Sequence, residues 1–275
     1  MQFADLHIHS KFSDGILTPK EIINISIQKG LKYISITDHD TIKAQIEISK
    51  LAYDEKFNII PGVEISTEYK NKEIHILGYF IDINDEVLIK TLNDIQNSRK
   101  NRAIEMINKL QELGIAIDLN HIFFDDVSIG RLHIANALVK NGLASNTKDA
   151  FHNYLMKGKP AYVDRYKIDY KSALKLICSC KGIPVLAHPG EIYKGIQIEK
   201  LIKEFKIYGL KGIEVFHPSH SAKEANDYYN LARKYSLAIT GGSDCHGTSA
   251  KDNLPIGTCG LNENLTYKFL KIKSK

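Results

Sequence analysis

The sequence has no run approaching the roughly 20 consecutive apolar residues that a membrane-spanning helix needs, so no such span is expected. The start, MQFADLHIHS, lacks a basic stretch followed by an apolar one; no secretory leader is expected, and the cytoplasm is the expected compartment. Cysteine is scarce. Cys178, Cys180, Cys245 and Cys259 form no C-x-x-C pair and no regular framework, which argues against structural disulfides and suits reduced thiols. Also missing are a G-x-x-x-x-G-K-[ST] phosphate loop, a G-x-G-x-x-G turn and a G-x-S-x-G elbow. Their absence argues against a P-loop NTPase, a dinucleotide-binding fold and, despite Ser243 beside Asp244, a serine hydrolase. No internal repeat, low-complexity segment or concentrated basic stripe is visible, so a long nucleic acid is not an expected partner.

What is present is an ordinary globular composition over 275 residues, 43% hydrophobic and 25% charged, enough for one large domain or two medium ones. The net charge of +5 comes from scattered lysines, including a terminal KFLKIKSK. A mild positive field favours anionic substrates, although scattered surface lysine produces the same number without any such role.

Short Ile/Val-rich runs alternate with helical patterns. The expected strands are 3–7, 33–37, 59–63, 74–80, 183–187, 212–216 and 237–240, and the expected helices 19–29, 41–53, 170–180, 198–206 and 222–235. This alternation argues an α/β fold with a largely parallel sheet. From about 85 to 159 the pattern turns helical, which reads as a helical insertion subdomain. The body is then residues 1–84 and 160–260, with 261–275 as a tail.

Ligand-type residues fall where the strands end. His7 and His9 form an H-x-H on one strand face, and Asp14 follows in the next loop. His39 lies in T-D-H-D, Glu64 in G-V-E, His188 in A-H-P-G, and Asp244 and His246 again stand at i, i+2. His75 is alone in its strand, and spacing by itself says little about it. Loops at the C-terminal ends of parallel strands share one mouth, so these groups should converge. Imidazole and carboxylate without thiolate suit Zn²⁺, Mn²⁺ or Fe²⁺. Nine ligands exceed what one four- to six-coordinate ion can take, so two or three divalent transition-metal ions are expected. A single strand-end histidine is more often a hydrogen-bonded residue than a ligand; here the joint pattern decides.

The ordered set D-L-H-I-H-S-x-x-S-D-G, I-T-D-H-D, P-G-V-E-I, H-I-L-G-Y, A-H-P-G and G-S-D-C-H-G resembles the PHP (polymerase and histidinol phosphatase) superfamily, from Met1 to about Gly257. Within it the chain is similar to the TrpH-like branch, which carries a helical insertion and motifs like G-R-x-H-I-A, G-K-P-A-Y-V and G-I-E-V-x-H-P-S-H. This chain has Arg131-Leu132-His133 where relatives often have Arg-Pro-His. The resemblance implies a distorted (β/α)7 barrel with a three-metal site. In it His7, His9, Glu64 and Asp244 hold one ion, Asp14, His39 and His246 a second, and His75 with His188 a third, with Glu64 bridging the first and third. It also implies action on nucleotides: nucleoside 3′,5′-bisphosphates, nucleoside monophosphates or short 5′-phosphorylated RNA.

The expected chemistry is hydrolysis of a phosphomonoester by a hydroxide shared between ions, since a bound ion can lower the pKa of water from ~15.7 to about 7. Glu64 and Asp244 would organise that centre. His217 and His220 in H-P-S-H could donate a proton to the leaving group or contact phosphate, or else only cap the next helix. In a chain that uses lysine almost everywhere, Arg131 and Arg165 are the expected phosphate grips, because a guanidinium makes paired hydrogen bonds to phosphate. Two rival readings share the motifs. A histidinol-phosphate phosphatase is disfavoured by the insertion and the H-P-S-H segment, and a non-catalytic PHP module by the nine filled ligand positions.

Overall fold

A computed structural model describes residues 2–53, 56–116, 130–164, 168–192, 195–247 and 254–273. Three parallel strands form one sheet in the order β1 (Ala4–Ile8), β2 (Tyr33–Ile36), β3 (Asn58–Ile59). Six strands form the other. Along the chain these are β4 (Gly62–Tyr69), β5 (Lys72–Tyr79), β6 (Ile168–Asp169), β7 (Ile183–Leu186), β8 (Gly212–Phe216) and β9 (Ala238–Gly241), and across the sheet they lie in the order β6-β4-β5-β7-β8-β9. Isolated bridges join the sheets at both seams, His39 to Glu64 and Ile8 to Cys245. The architecture is therefore mixed α/β with parallel pairing, and among the described residues no continuous ladder closes it into a barrel.

The strand expected at 59–63 is split. Pro61, which has no N–H to give a ladder, separates β3 from β4. β4 then runs on to Tyr69 and turns back through Lys70 and Asn71, with φ of 49° and 61°, the two positive values a type I′ hairpin demands. Consequently β5 is antiparallel to both β4 and β7, whereas the other pairings are parallel. Its beginning, with His75 opposite Ser66, thus lies where its neighbours end.

Helix α1 (Pro19–Gln28) starts with a Thr18/Glu21 capping box and Pro19 in its first turn. α2 is only Lys43–Ile48. α3 (Glu86–Glu112) is shared by two cores. Its first turns bury Leu88, Leu92 and Ile95 against the six-stranded sheet, and its later turns bury Ala103, Met106, Ile107 and Leu110 in a second cluster. That cluster is completed by Ile134 and Leu138 of α4 (Arg131–Lys140), Ala150 of α5 (Thr147–Ala150), Leu155 and Ala161. Among the described residues of the segment expected at 85–159, this second cluster draws on the later turns of α3 and on residues from α4 onward.

Outside the six-stranded sheet lie α6 (Tyr170–Ser179), α7 (Ile198–Ile207) and α8 (Ala222–Lys234), which bury Leu174, Ile177, Leu201, Phe205 and Ala232 against Ile65, Ile76, Ile213 and Val215. Residues 261–273 pack against the body. Leu261 pairs with Ala4, and α9 (Glu263–Lys273) buries Phe269 beside Leu6, Leu77, Tyr79 and Val185. Asn262 Oδ1 accepts from Leu265 N at 3.0 Å and starts the helix. The four-residue spacing of Leu265 and Phe269 gives it an inner face.

Candidate metal centre

Alternation along β4 sends Val63 and Ile65 into the helix-covered core and leaves Glu64 and Ser66 on the opposite face. Glu64, 1% exposed, is the hub. Its Oε1 lies 2.9 Å from His188 Nε2 and 3.0 Å from His75 Nδ1. Its Oε2 lies 3.0 Å from His39 Nδ1, 3.3 Å from His9 Nε2 and 3.4 Å from His7 Nε2. One carboxylate thus parts five imidazoles into two sets.

The other two acids complete the cage. Asp244, in a left-handed turn with φ 49°, brings Oδ1 to 3.0 Å from His9 Nε2 and 3.4 Å from His7 Nε2. Asp14 lies 3.2 Å from His246 Nε2 and 3.7 Å from both His9 and His39. Donor atoms within 4.8 Å of one another form the groups His9–Asp14–His39–His246, His7–His9–Glu64 and His39–Glu64–His75. All nine residues expected from the sequence converge, His75 included, because the hairpin reverses its strand.

The donor set suits cations. Asp14 Oδ1, His39 Nδ1, Glu64 Oε2 and His188 Nδ1 are buried without an aligned hydrogen bond, which a protein interior tolerates poorly unless something else satisfies them. Burial alone would raise the Glu64 carboxyl, yet His39, His75 and His7 hold it well below its ordinary range, and Asp14 and Asp244 behave likewise. Burial opposes charge on His9 and His75, but Asp244 and Glu64 around the first and Glu64 and Glu73 around the second push both to about 10. At His39 burial wins, pushing it down to about 4 with help from the charges of His9 and His75.

An outer layer went unread in the sequence. Glu214, wholly buried, meets His7 Nδ1 at 2.9 Å and accepts from His188 N at 2.7 Å. Asp38 accepts from Ser10 N, Ser10 Oγ and Ser13 Oγ at 2.6–2.7 Å and shapes the loop that carries Asp14. Asp40 accepts from Arg99 and from Ser66 N. The two acids flanking His39 in D-H-D therefore anchor a loop on one side and a basic residue on the other. The available signal was an acid inside an apolar strand, G-I-E-V-F, since a buried carboxylate demands partners.

The proposed substrate groups separate. His217 Nε2 is 3.3 Å from Asp244 Oδ2, beside the cage. His220 is not free to act. Its Nδ1 is 2.9 Å from the Val215 carbonyl, and its Nε2 accepts from Gly190 N at 3.1 Å, so both ring nitrogens are spent on backbone. Arg131 opens α4 next to the cage, 3.8 Å from Glu73, with its guanidinium 5.6 Å from the Phe151 ring. A pocket of about 130 Å³ lies there, lined by Asp14, His39, Ser66, His75, Arg99 and Arg131, with Arg102 at its wall. Three of the chain's five arginines face it. Arg165 and His121 lie outside the described residues. His133 accepts from Gly130 N and caps α4. Larger clefts of about 340 and 510 Å³ run along α1 and α3, but none of the nine ligand-type residues lines them.

No helix among the described residues is long and apolar enough to cross a membrane. The PHP domain family matches residues 5–256. The chain is 34% identical over 250 residues to a 3′,5′-nucleoside bisphosphate phosphatase of Chromobacterium violaceum, covering 90% of this chain and 88% of that one. It is 33% identical over 264 residues to a 5′-3′ exoribonuclease of Haemophilus influenzae, covering 95% and 93%. A solved structure from Bifidobacterium adolescentis, 24% identical, superposes with a TM-score of 0.87 over 98% of this chain and 96% of that one, a likeness of fold alone. A converging His/Asp/Glu cage, a family match across nearly the whole chain and relatives covered along nearly their full length lead to one assignment: this chain belongs to the PHP domain family.

Proposed function

We propose that the chain is a metal-dependent phosphatase that hydrolyses phosphomonoesters of nucleotides, among them nucleoside 3′,5′-bisphosphates, nucleoside monophosphates and short 5′-phosphorylated RNA. The observation that carries this reading is the Glu64 carboxylate dividing two histidine sets, with an arginine-lined pocket opening beside them. His7, His9, Glu64 and Asp244 would hold one ion, Asp14, His39 and His246 a second, and His75 with His188 a third, Glu64 being shared. Mn²⁺, Fe²⁺ and Zn²⁺ all accept such nitrogen and oxygen donors. Bound divalent ions supply concentrated positive charge that offsets a phosphate dianion and make water more acidic. We also read the two bridged sheets as one distorted (β/α)7 barrel, the helical segment as an insertion over its mouth, and the cytoplasm as its compartment.

The chain's own residues do the rest. Arg99, fixed by Asp40 and by Ser66 Oγ at 2.9 Å, and Arg131 present guanidinium forks to phosphate oxygens. His217 donates a proton to the leaving oxygen. As an imidazolium it carries a proton on each nitrogen, Nδ1 giving one to Ser219 Oγ at 2.7 Å and Nε2 holding the other beside Asp244. Burial lowers the basicity of that ring, but Asp244 and Glu214 raise it further and keep the proton available near neutrality.

A phosphate-release screen with Mn²⁺ tests the reading, using AMP, adenosine 3′,5′-bisphosphate, histidinol phosphate and a 5′-phosphorylated dinucleotide. The expected result is release from the nucleotides, more than one metal equivalent per chain, and loss of activity in EDTA. Full activity in EDTA, or release from histidinol phosphate alone, sinks it.

Arg131→Lys is expected to lose about 1.5–3 kcal/mol of phosphate binding, roughly 10- to 150-fold in kcat/KM. Equal losses on AMP and on the 3′,5′-bisphosphate place Arg131 on the scissile phosphate, and a loss on the bisphosphate alone places it on the second. Changes below about twofold on both, with metal content intact, leave Arg131 as the ion-pair partner of Glu73 only. The same comparison with Arg165→Lys covers the other arginine proposed from the sequence.

A further inference from the structure

We infer that Glu214 is a positioning residue that couples the His7 side of the cage to the His188 side, an inference that rests on the reading that the cage binds metal ions. On β8, Ile213 and Val215 enter the helix-covered core, which turns Glu214 to the inner face with no exposure to solvent. Its two oxygens have different jobs. Oε1 stands 2.9 Å from His7 Nδ1, and Oε2 accepts from the main-chain N of His188 at 2.7 Å. An ionised carboxylate only accepts hydrogen bonds, so the Nδ1 facing it carries a proton. The free pair of His7 Nε2 is thereby aimed at Glu64, Asp244 and His9, the side on which a cation would sit. A carboxylate behind a ligating imidazole commonly fixes the ring's tautomer and basicity in this way.

The second oxygen acts on backbone. His188 has φ 20° and ψ 65°, away from the populated regions, a conformation that persists only if its surroundings impose it. Glu214 holds the start of that turn. Its end is held from the same strand, because the Val215 carbonyl orients His220 and His220 Nε2 takes the N–H of Gly190. A Cβ on Gly190 would come within 2.5 Å of the His220 ring, so the fit depends on glycine there. One strand thus pins both ends of the turn that presents His188, and the same carboxylate orients His7.

Glu214→Gln keeps the shape and breaks the pattern. An amide has one acceptor end and one donor end, so its NH₂ must face either the His7 Nδ1 proton or the His188 N–H. If it faces His7, that ring has to move its proton to Nε2, inside the cage. Equilibrium dialysis with Mn²⁺ and melting of the metal-free protein are to be measured on the variant and on the unsubstituted chain. The expected result is a 10- to 100-fold loss in Mn²⁺ affinity, whether or not the metal-free melting temperature falls. A merely structural role gives the reverse, a lower melting temperature with affinity intact, and that pattern overturns the coupling alone. Failure of the unsubstituted chain to bind Mn²⁺ overturns the metal reading and this inference with it. Should Glu214→Gln not fold, His220→Asn tests the same turn from its other end, keeping a donor for Val215 and leaving Gly190 without its acceptor. A weaker affinity for one of the ions is then expected, and unchanged binding of every ion overturns the coupling.

Discussion

Glu64→Gln is expected to lower kcat/KM by roughly 10²- to 10⁴-fold, more than any single His→Ala substitution in the cage. The reason is position. Five imidazoles stand within 3.4 Å of the two Glu64 oxygens, whereas each histidine serves one set or the edge of a second. Glutamine keeps the volume of the side chain and removes its charge, so cations on either side would repel one another across a neutral amide. Removing one partner from a buried charged pair typically costs about 3–5 kcal/mol of stability, and an equal loss of transition-state stabilisation, at about 1.4 kcal/mol per factor of ten, is roughly two to four decades. Metal per chain and steady-state rates on one nucleotide are the measurements. A Glu64→Gln variant with its full metal complement and near-normal turnover excludes a shared ligand at this position.

The nine ligand-type residues were legible because their types are rare and their positions follow strand geometry. His7–His9 and Asp244–His246 carry the i, i+2 spacing of one strand face, and His39 and His188 follow short apolar runs. His75 was legible only through the family resemblance. The hairpin that delivers it is formed by S-T-E-Y-K-N-K-E, whose polar residues hide a strand and whose turn lacks the glycine that usually marks positive φ. Glu214, Asp38 and Asp40 were passed over because they serve neighbouring groups rather than a ligand, and which neighbours those are depends on contacts distant in sequence, such as His7 with Glu214. His220 shows what sequence cannot place. A histidine two residues past a His-Pro looks reactive until both of its nitrogens are found on backbone groups. Arg99 hid in a long amphipathic helix, where a charged residue ordinarily means a solvated face, and only the packing of α3 across the cage shows otherwise.

Cation affinity is expected to climb about a hundredfold per pH unit between roughly pH 6.5 and 9, a consequence of the protons that hold the metal-free cage together. Histidine ordinarily titrates near 6.5, but His9 and His75 are pushed to about 10 and His7 is raised well above its ordinary value as well. An imidazole nitrogen must be unprotonated to ligate, so each of these rings gives up a proton on binding, and the two displaced at the ion proposed for His7 and His9 give two factors of ten per unit of pH. His39, pushed down to about 4, is already neutral and adds nothing to the slope. Stability of the metal-free chain runs the other way. Groups with raised values stabilise the fold fully below 6.5 and lose that contribution as pH climbs toward 10. The depressed carboxyls of Asp14, Glu64 and Asp244 stabilise it above their ordinary 3.8 to 4.5 and lose their contribution as pH falls below that range. In EDTA the melting temperature should therefore decline from about pH 6 to about pH 8.5, while the increment produced by Mn²⁺ should grow over the same interval. Melting curves at both values, with EDTA and with Mn²⁺, decide the matter. An Mn²⁺ increment that is equal at the two pH values means that no proton leaves the cage on binding, and His7, His9 and His75 would then not carry the raised values.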